Sequence, residues 1–338
     1  MVATAAPSPL QTHHPRRPLL LRGARMLLAY VILLALLVMY QQKAPRFTER
    51  EWQSLANQGM TLTIASFGQT IVVLTGGIDL SVGPMVSLSN SIVATMGRKD
   101  APDERLALGV IVALLVGAAG GLANGLIIAY GRLQPIIVTL ATGYIYAGIA
   151  LHVRPRPGGY VPFNRADQVT GLLWGKLPTA LVLLLILVVI WALFKRTRLS
   201  NRIIAIGSSQ GAAYMSGVNV VKTKIWAYTL AGIASACAGL FLTAQTASGD
   251  ANAGLVYTLN SIAAVVLGGA SLAGGAGSFI GTIAGAYVLS IIPSVLYFFD
   301  FYRSRPLSQD LYKGSILLAA VALGAVGVLR MRNRLDRL

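Results

Sequence analysis

Asp79 is the single charged residue between Glu51 and Arg98, inside the run Thr75-Gly76-Gly77-Ile78-Asp79-Leu80-Ser81-Val82-Gly83. A carboxylate within a long apolar stretch is costly, so it marks a site by default. Two kinds of chemistry fit it. It could act directly on a transported solute or ion, with Gly76, Gly77 and Ser81 forming a break that moves. Alternatively, Gly76-Gly77 ends one helix and Asp79 N-caps the next, its charge favoured by the positive helix end. Both readings stand at this point.

A second stretch, Asn201 to Val218, reads Asn-Arg-Ile-Ile-Ala-Ile-Gly-Ser-Ser-Gln-Gly-Ala-Ala-Tyr-Met-Ser-Gly-Val. Gln210 to Gly217 can form a short helix ending at Gly217. Small residues there would let another protein approach its backbone, and an ordinary linker is the alternative. A third stretch holds Gly268-Gly269 and Gly274-Gly275, followed by Gly277, Gly281 and Gly285. The doublets suggest helix breaks that line a cavity. The spacing of the last three makes a ridge for close helix packing.

Several chemistries are missing from the sequence. No G-x-x-x-x-G-K-[ST] phosphate loop occurs, and no G-x-S-x-G, H-E-x-x-H or paired-carboxylate arrangement lies inside the membrane-spanning stretches. Cys237 is the only cysteine, and His13, His14 and His152 are scattered. No metal site or disulfide is expected. With Asp79 as the lone intramembrane ionisable residue, energy for active transport must come from elsewhere, a partner ATPase being one source.

The elements that position these residues follow from composition. Of 338 residues 55% are hydrophobic and only 12% charged, with a mean hydropathy of +0.67. Soluble domains carry about a quarter charged residues. A bilayer core of about 30 Å needs roughly 20 apolar residues as a helix. The apolar runs are too long for barrel strands and lack their alternation. The expectation is an all-α, polytopic transmembrane bundle with broken or re-entrant Gly-rich helices. About ten spans are predicted: 21–41, two within 54–97 broken at Gly76-Gly77, 106–129, 134–152, 177–194, 223–246, 257–273, 277–299 and 312–329. The predicted organisation is a cytosolic tail (1–25), one membrane domain (26–330) and a second cytosolic tail (331–338). Apolar residues from Met26 to Tyr40 resemble a signal peptide, but Gln41-Gln42-Lys43 follows without a small-x-small site, so an uncleaved helix is expected.

An even span count places both termini on one side. The net charge is +17, and the densest basic clusters fall on that side: Lys195, Arg196, Arg198 and Arg202, then Arg330, Arg332, Arg334 and Arg337. That side is read as cytoplasmic. The clusters sit between apolar runs, which fits topology and anionic lipid rather than nucleic acid.

Three blocks together carry a family likeness. They are Gly76 to Gly83, then Ala205-Ile206-Gly207 through Ala212-Ala213 to Ser216-Gly217-Val218-Asn219-Val220, then Ile262 to Gly269 through Ser271-Leu272-Ala273-Gly274-Gly275. Over roughly 50–330 the chain resembles the permease subunits of ribose-type ABC sugar importers, within the wider permease family that includes branched-chain amino acid importers. The resemblance implies a second permease copy, identical or not, and a cytosolic ABC ATPase that holds ATP and Mg, this chain having no cofactor of its own. It also implies a periplasmic sugar-binding protein and a bacterial inner-membrane location. Ala205, Gly207, Gln210, Ala212, Ala213, Ser216 and Gly217 look like the family's coupling segment. Family members often place an acid before the Ile-Ala-Ala-Val stretch, where this chain has Asn260 and Ser261. Gln69, Asn90, Asn124 and Asn260 are candidates for lining the pathway, or for interhelical hydrogen bonding. The rivals are a standalone secondary transporter of a small polar solute and, last, a lipid-modifying membrane enzyme.

Overall fold

The computed structural model describes residues 17–44, 47–97, 103–299, 311, 312, 314 and 315. The chain is predominantly helical, in the order α1 (Arg17–Lys43), α2 (Glu49–Leu74), α3 (Val82–Met96), α4 (Asp103–Gly131), α5 (Pro135–Val153), α6 (Phe163–Thr170), β1 (Leu172–Leu173), β2 (Leu177–Pro178), α7 (Thr179–Lys195), α8 (Arg198–Ser208), α9 (Gln210–Met215), α10 (Val220–Thr246), α11 (Tyr257–Leu267) and α12 (Phe279–Leu296).

The core is built from α2 and α3. Every residue from Met60 to Leu74 except Phe67 is buried, as is all of Val82–Ala94. α10 packs against α2, α3 and α4, while α12 and α11 cover another side of α2. A helix enclosed by protein needs no apolar coat, so α2 can carry Thr61, Thr63, Ser66, Gln69 and Thr70 in its interior stretch. The peripheral helices show the opposite composition: α4, α5 and α7 expose Leu115, Ile145, Tyr144, Leu185 and Leu193. α7 is pinned by its one large buried side chain, Trp191, whose ring lies 5.9 Å from Phe67 and 5.8 Å from Phe279.

The closest helix pair owes its proximity to glycine. Gly117, Gly121 and Gly125 recur every fourth residue on α4, and a side chain on any of them would meet α10 backbone at Gly232, Tyr228 or Ile225. This is the small-residue contact typical of membrane helices. The ridge predicted at Gly277, Gly281 and Gly285 also packs closely, against Ala270, Gly268 and Ala264 respectively.

Among the described residues five helices are long and apolar enough to cross a membrane: α1 from Met26, α4, α5, α10 and α12. The number is six if α7 and α8, bent by 75°, count as one span. The chain is thus a multi-pass membrane protein, with fewer qualifying helices than the roughly ten spans predicted. α2 falls short because its buried interior is polar, α3 and α11 because they are short. Of the predicted segment 312–329 only residues 312, 314 and 315 are described; the rest of it, residues 1–16, the tail 331–338 and the cluster Arg330–Arg337 lie outside the described residues. α1 begins at Arg17, inside the predicted tail. Helix within the predicted segment 257–273 stops at Leu267, and 268–278 is irregular. The long predicted loop 153–176 contains α6 and one strand of a two-stranded hairpin, whose turn holds Trp174 and Gly175 at positive φ.

The helix ends sort into two groups. At one end, Gln53 and Asn57 of α2 donate to the Thr170 carbonyl, Arg165 pairs with Asp103, and Gly158 bridges Gly249. At the other lie the α2–α3 break, α8, α9 and the loop after α11. Among the described residues, every Asp and Glu except Asp79 belongs to the first end, at the starts of α2 and α4, on α6 or at Asp250. Lys195, Arg196, Arg198, Arg202, Lys222, Lys224 and Arg132 belong to the second.

Candidate functional site

Three helices at the basic end stop in the same way. After α2, the Gly76 N–H bonds the Val73 carbonyl (2.9 Å) and the Gly77 N–H bonds that of Val72 (3.3 Å). After α9, Gly217 bonds Tyr214 (2.9 Å) and Val218 bonds Ala213 (3.0 Å). After α11, Gly269 bonds Val266 (2.9 Å) and Ala270 bonds Val265 (3.1 Å). This paired closure needs a left-handed residue, and Gly76, Gly217 and Gly269 have φ of 82°, 80° and 91°. Each of these stops is abrupt, so the chain can turn toward its neighbours within two residues.

Two of these ends meet. The Gly275 N–H donates to the Leu74 carbonyl, the last of α2, at 3.0 Å. Gly274 lies against the backbone of Gly76 and Gly207, and a methyl group on Gly207 would overlap the Leu74 oxygen and the Gly275 nitrogen. The break after α2, the loop after α11 and the end of α8 thus form one backbone junction, which only residues without side chains permit. Gly268 acts differently: its φ is ordinary, and a side chain there would strike the Gly281 backbone.

Asp79 is 2% exposed. Its Oδ1 accepts the Ser81 N–H (2.8 Å) and hydroxyl (2.6 Å), and the Ser81 hydroxyl accepts from Asn124 Nδ2 (2.9 Å). The Leu80 N–H donates to Thr139 Oγ1 (2.9 Å). Of the two readings of Asp79, the strict N-cap does not hold. Ser81 occupies the cap position without a side-chain cap bond, and Asp79 braces it from two residues upstream. The reason is steric order: the turn after Gly77 must be closed before α3 can start, and the carboxylate closes it. Tyr228 lies beside Gly77 with its hydroxyl buried and unpartnered, as is Asn124 Oδ1.

The predicted coupling residues divide between two short helices. Thr197 caps α8 and Ser209 caps α9, accepting the Ser200 and Ala212 N–H groups. Ala205 is half-buried, and Gly207 is sealed in the junction. On α9, Ala213 alone is buried, whereas Gln210, Gly211, Ala212, Tyr214 and Met215 face outward, with Ser216 and Gly217 following. A Cβ built at Gly211 meets no atom within 4 Å. An exposed helix with small residues is therefore fixed at one end to the buried junction.

The four polar candidates have different surroundings. Asn90 is fully engaged: it donates to Thr243 Oγ1 (2.8 Å) and the Ser248 carbonyl (3.0 Å), and accepts the Asp250 N–H (2.7 Å). Asn124 joins the Asp79 network. Asn260 is half-buried on α11. Gln69 is wholly buried, and neither end of its amide has a partner; the Ser66 hydroxyl one turn earlier is also unpartnered. These two lie on the α2 stripe that includes Leu62 and Val73, which pack against Ala264 and Val265 of α11. Thr139, Tyr228, Ser66 and the α4 glycines went unsingled in the sequence. Only the glycines had a legible signal, their fourfold spacing.

Comparison with known proteins agrees with this architecture. A sequence profile described as "Branched-chain amino acid transport system / permease component" matches residues 53–326. The ribose import permease protein RbsC of Bacillus subtilis (strain 168) is 37% identical over 263 residues, covering 77% of this chain and 80% of that protein. RbsC of Escherichia coli (strain K12) is 34% identical over 297 residues, covering 86% and 91%. The galactose/methyl galactoside import permease protein MglC of the same strain is 31% identical over 322 residues, covering 90% and 95%. No solved structure matches the chain. A profile match across most of the chain, and relatives spanning nearly its full length, establish that it belongs to the branched-chain amino acid transport system permease family.

Proposed function

We propose that the chain is the membrane-spanning subunit of an ABC importer that carries a monosaccharide across the bacterial inner membrane. The observation behind this reading is the likeness to ribose and galactose import permeases over most of the chain. In this reading a periplasmic binding protein delivers the sugar, and two permease copies form the pathway. ATP and Mg are held by a separate cytosolic ATPase. The basic end, rich in Lys and Arg and poor in acids, faces the cytoplasm by the positive-inside rule, and both termini lie there.

The geometry suggests how force would enter. α9 offers an exposed helix to the ATPase, and α8 continues from it through Ser209. Gly207 brings α8 onto the end of α2 and the loop before α12. Closure of the ATPase pair would shift α9, and the junction would pass that shift to the helices around the pathway. Binding specificity belongs to the delivery protein, so the pathway needs only weak polar contacts. Gln69 and Ser66, buried with open hydrogen-bonding capacity, suit that role. A standalone ion-coupled carrier would work through intramembrane ionisable groups, whereas Asp79 is already engaged by Ser81.

The test is reconstitution. Vesicles holding the permease with its ATPase and binding protein should take up labelled ribose or galactose only when ATP is supplied on the ATPase side. Uptake by the permease alone would overturn the proposal.

A further inference from the structure

At the basic end, a cleft of about 640 Å³ opens between the end of α4, α9 and the start of α10. Its polar lining is Arg132, Lys224, Gln210 and Tyr214, and Ile128 and Val221 contribute to its apolar wall. Lys224 is half-buried, and its Nζ donates to a neutral group, Gln210 Oε1, at 2.8 Å. Among the described residues no carboxylate pairs with Lys224 or Arg132, and this whole end carries no acid but Asp79. Two cations therefore border one cavity without an anion among the described residues to balance them.

The surroundings define where such an anion would come from. The last turns of α4, the link after it and the first turn of α5 expose Leu126, Ile127, Tyr130, Leu133 and Ile137, an apolar surface suited to lipid tails. Tyr130 near the end of α4, Tyr214 on α9 and Trp226 in the second turn of α10 are exposed around the cleft, and Tyr and Trp collect where tails give way to headgroups. The cleft therefore sits at the border of the lipid-facing belt and the basic end. It is wider than a single protein carboxylate would fill. A guanidinium fork and an ammonium are both phosphate ligands, and basic pockets between membrane helices hold anionic headgroups.

We infer that this cleft binds the phosphate headgroup of an anionic phospholipid, with Arg132 and Lys224 as its ligands and the tails lying along α4 and α5. The inference requires only that this end meets a headgroup layer; it holds whichever solute is carried and whichever subunit supplies energy.

Full-length protein in an uncharged detergent can be titrated separately with phosphatidylglycerol and phosphatidylcholine and followed by native mass spectrometry. Phosphatidylglycerol should bind about tenfold more tightly, and the double variant Arg132→Gln/Lys224→Gln should bring the two lipids within about twofold. Arg154→Gln, at the opposite end, should keep the preference. Equal binding of both lipids by the unaltered protein overturns the inference, and that comparison does not depend on any variant folding. A double variant that keeps its preference overturns it too, and loss of ATPase association in that variant would assign the cleft to a protein carboxylate. Displacement of phosphatidylglycerol by equimolar inorganic phosphate would assign it to the free ion and overturn the lipid reading.

Discussion

Asp79 has no cation beside it among the described residues, so its burial is offset by hydrogen bonds alone, both from Ser81. Truncation to alanine would leave the buried Ser81 N–H and hydroxyl short of an acceptor, a loss of about 1–3 kcal/mol. Asp79→Ala should therefore lower the unfolding midpoint of the purified protein. Asp79→Asn keeps one carbonyl oxygen in place and should retain most stability and transport. Full stability in Asp79→Asn with transport abolished would instead assign the charge a direct part in translocation. The contrast with Gln69 is instructive: both side chains are buried, but only Gln69 has its polar atoms free. Sequence alone could single out Asp79 by its isolation in an apolar run. It could not tell bracing from capping, because that depends on a turn only two residues long.

At the scale of elements, α9 and the α4–α10 seam invite opposite expectations. Met215 is 84% exposed and lies outside the cleft beside α9, so Met215→Asp should fold normally while spoiling the outer face of α9. Coupled ATP hydrolysis in the reconstituted complex should fall about tenfold, the scale of a disrupted interface anchor, with the melting temperature unchanged. Gly121→Leu should do the reverse. Its side chain would drive into Tyr228 and Thr229 of α10, and overpacking of that kind costs about 1–3 kcal/mol. Thermal unfolding in detergent checks it. The break at Gly76-Gly77 and the helix at Gln210 were legible because glycine marks helix ends chemically. α6, the hairpin at Trp174 and the enclosure of α2 were not. A polar helix reads as a poor membrane span until its neighbours are known, and enclosure is a property of the neighbours.

For the whole molecule, charge is the organising variable. Among the described residues acids gather at one end and unpaired cations at the other, and the span alternation read from the sequence already puts nine of the eleven acids on the external side. The sequence gives Lys/Arg counts of 15 and 13 for the two sides, a slight bias, whereas the described acids are almost wholly segregated. Orientation can be read with a single thiol, since Cys237 is the only native one and is half-buried. Ser216→Cys in a Cys237→Ala background should react with a membrane-impermeant maleimide in inverted vesicles and stay unlabelled in intact spheroplasts. The junction of Leu74, Gly207 and Gly275 has its own consequence at this scale. Because three backbones touch there with no side chain between them, no rotamer can absorb a displacement. If α8 carries the proposed push, that push must turn into rotation of α2 or travel of the α12 entry loop, and such a device would transmit small strokes without play and seize if any one of those three contacts were padded.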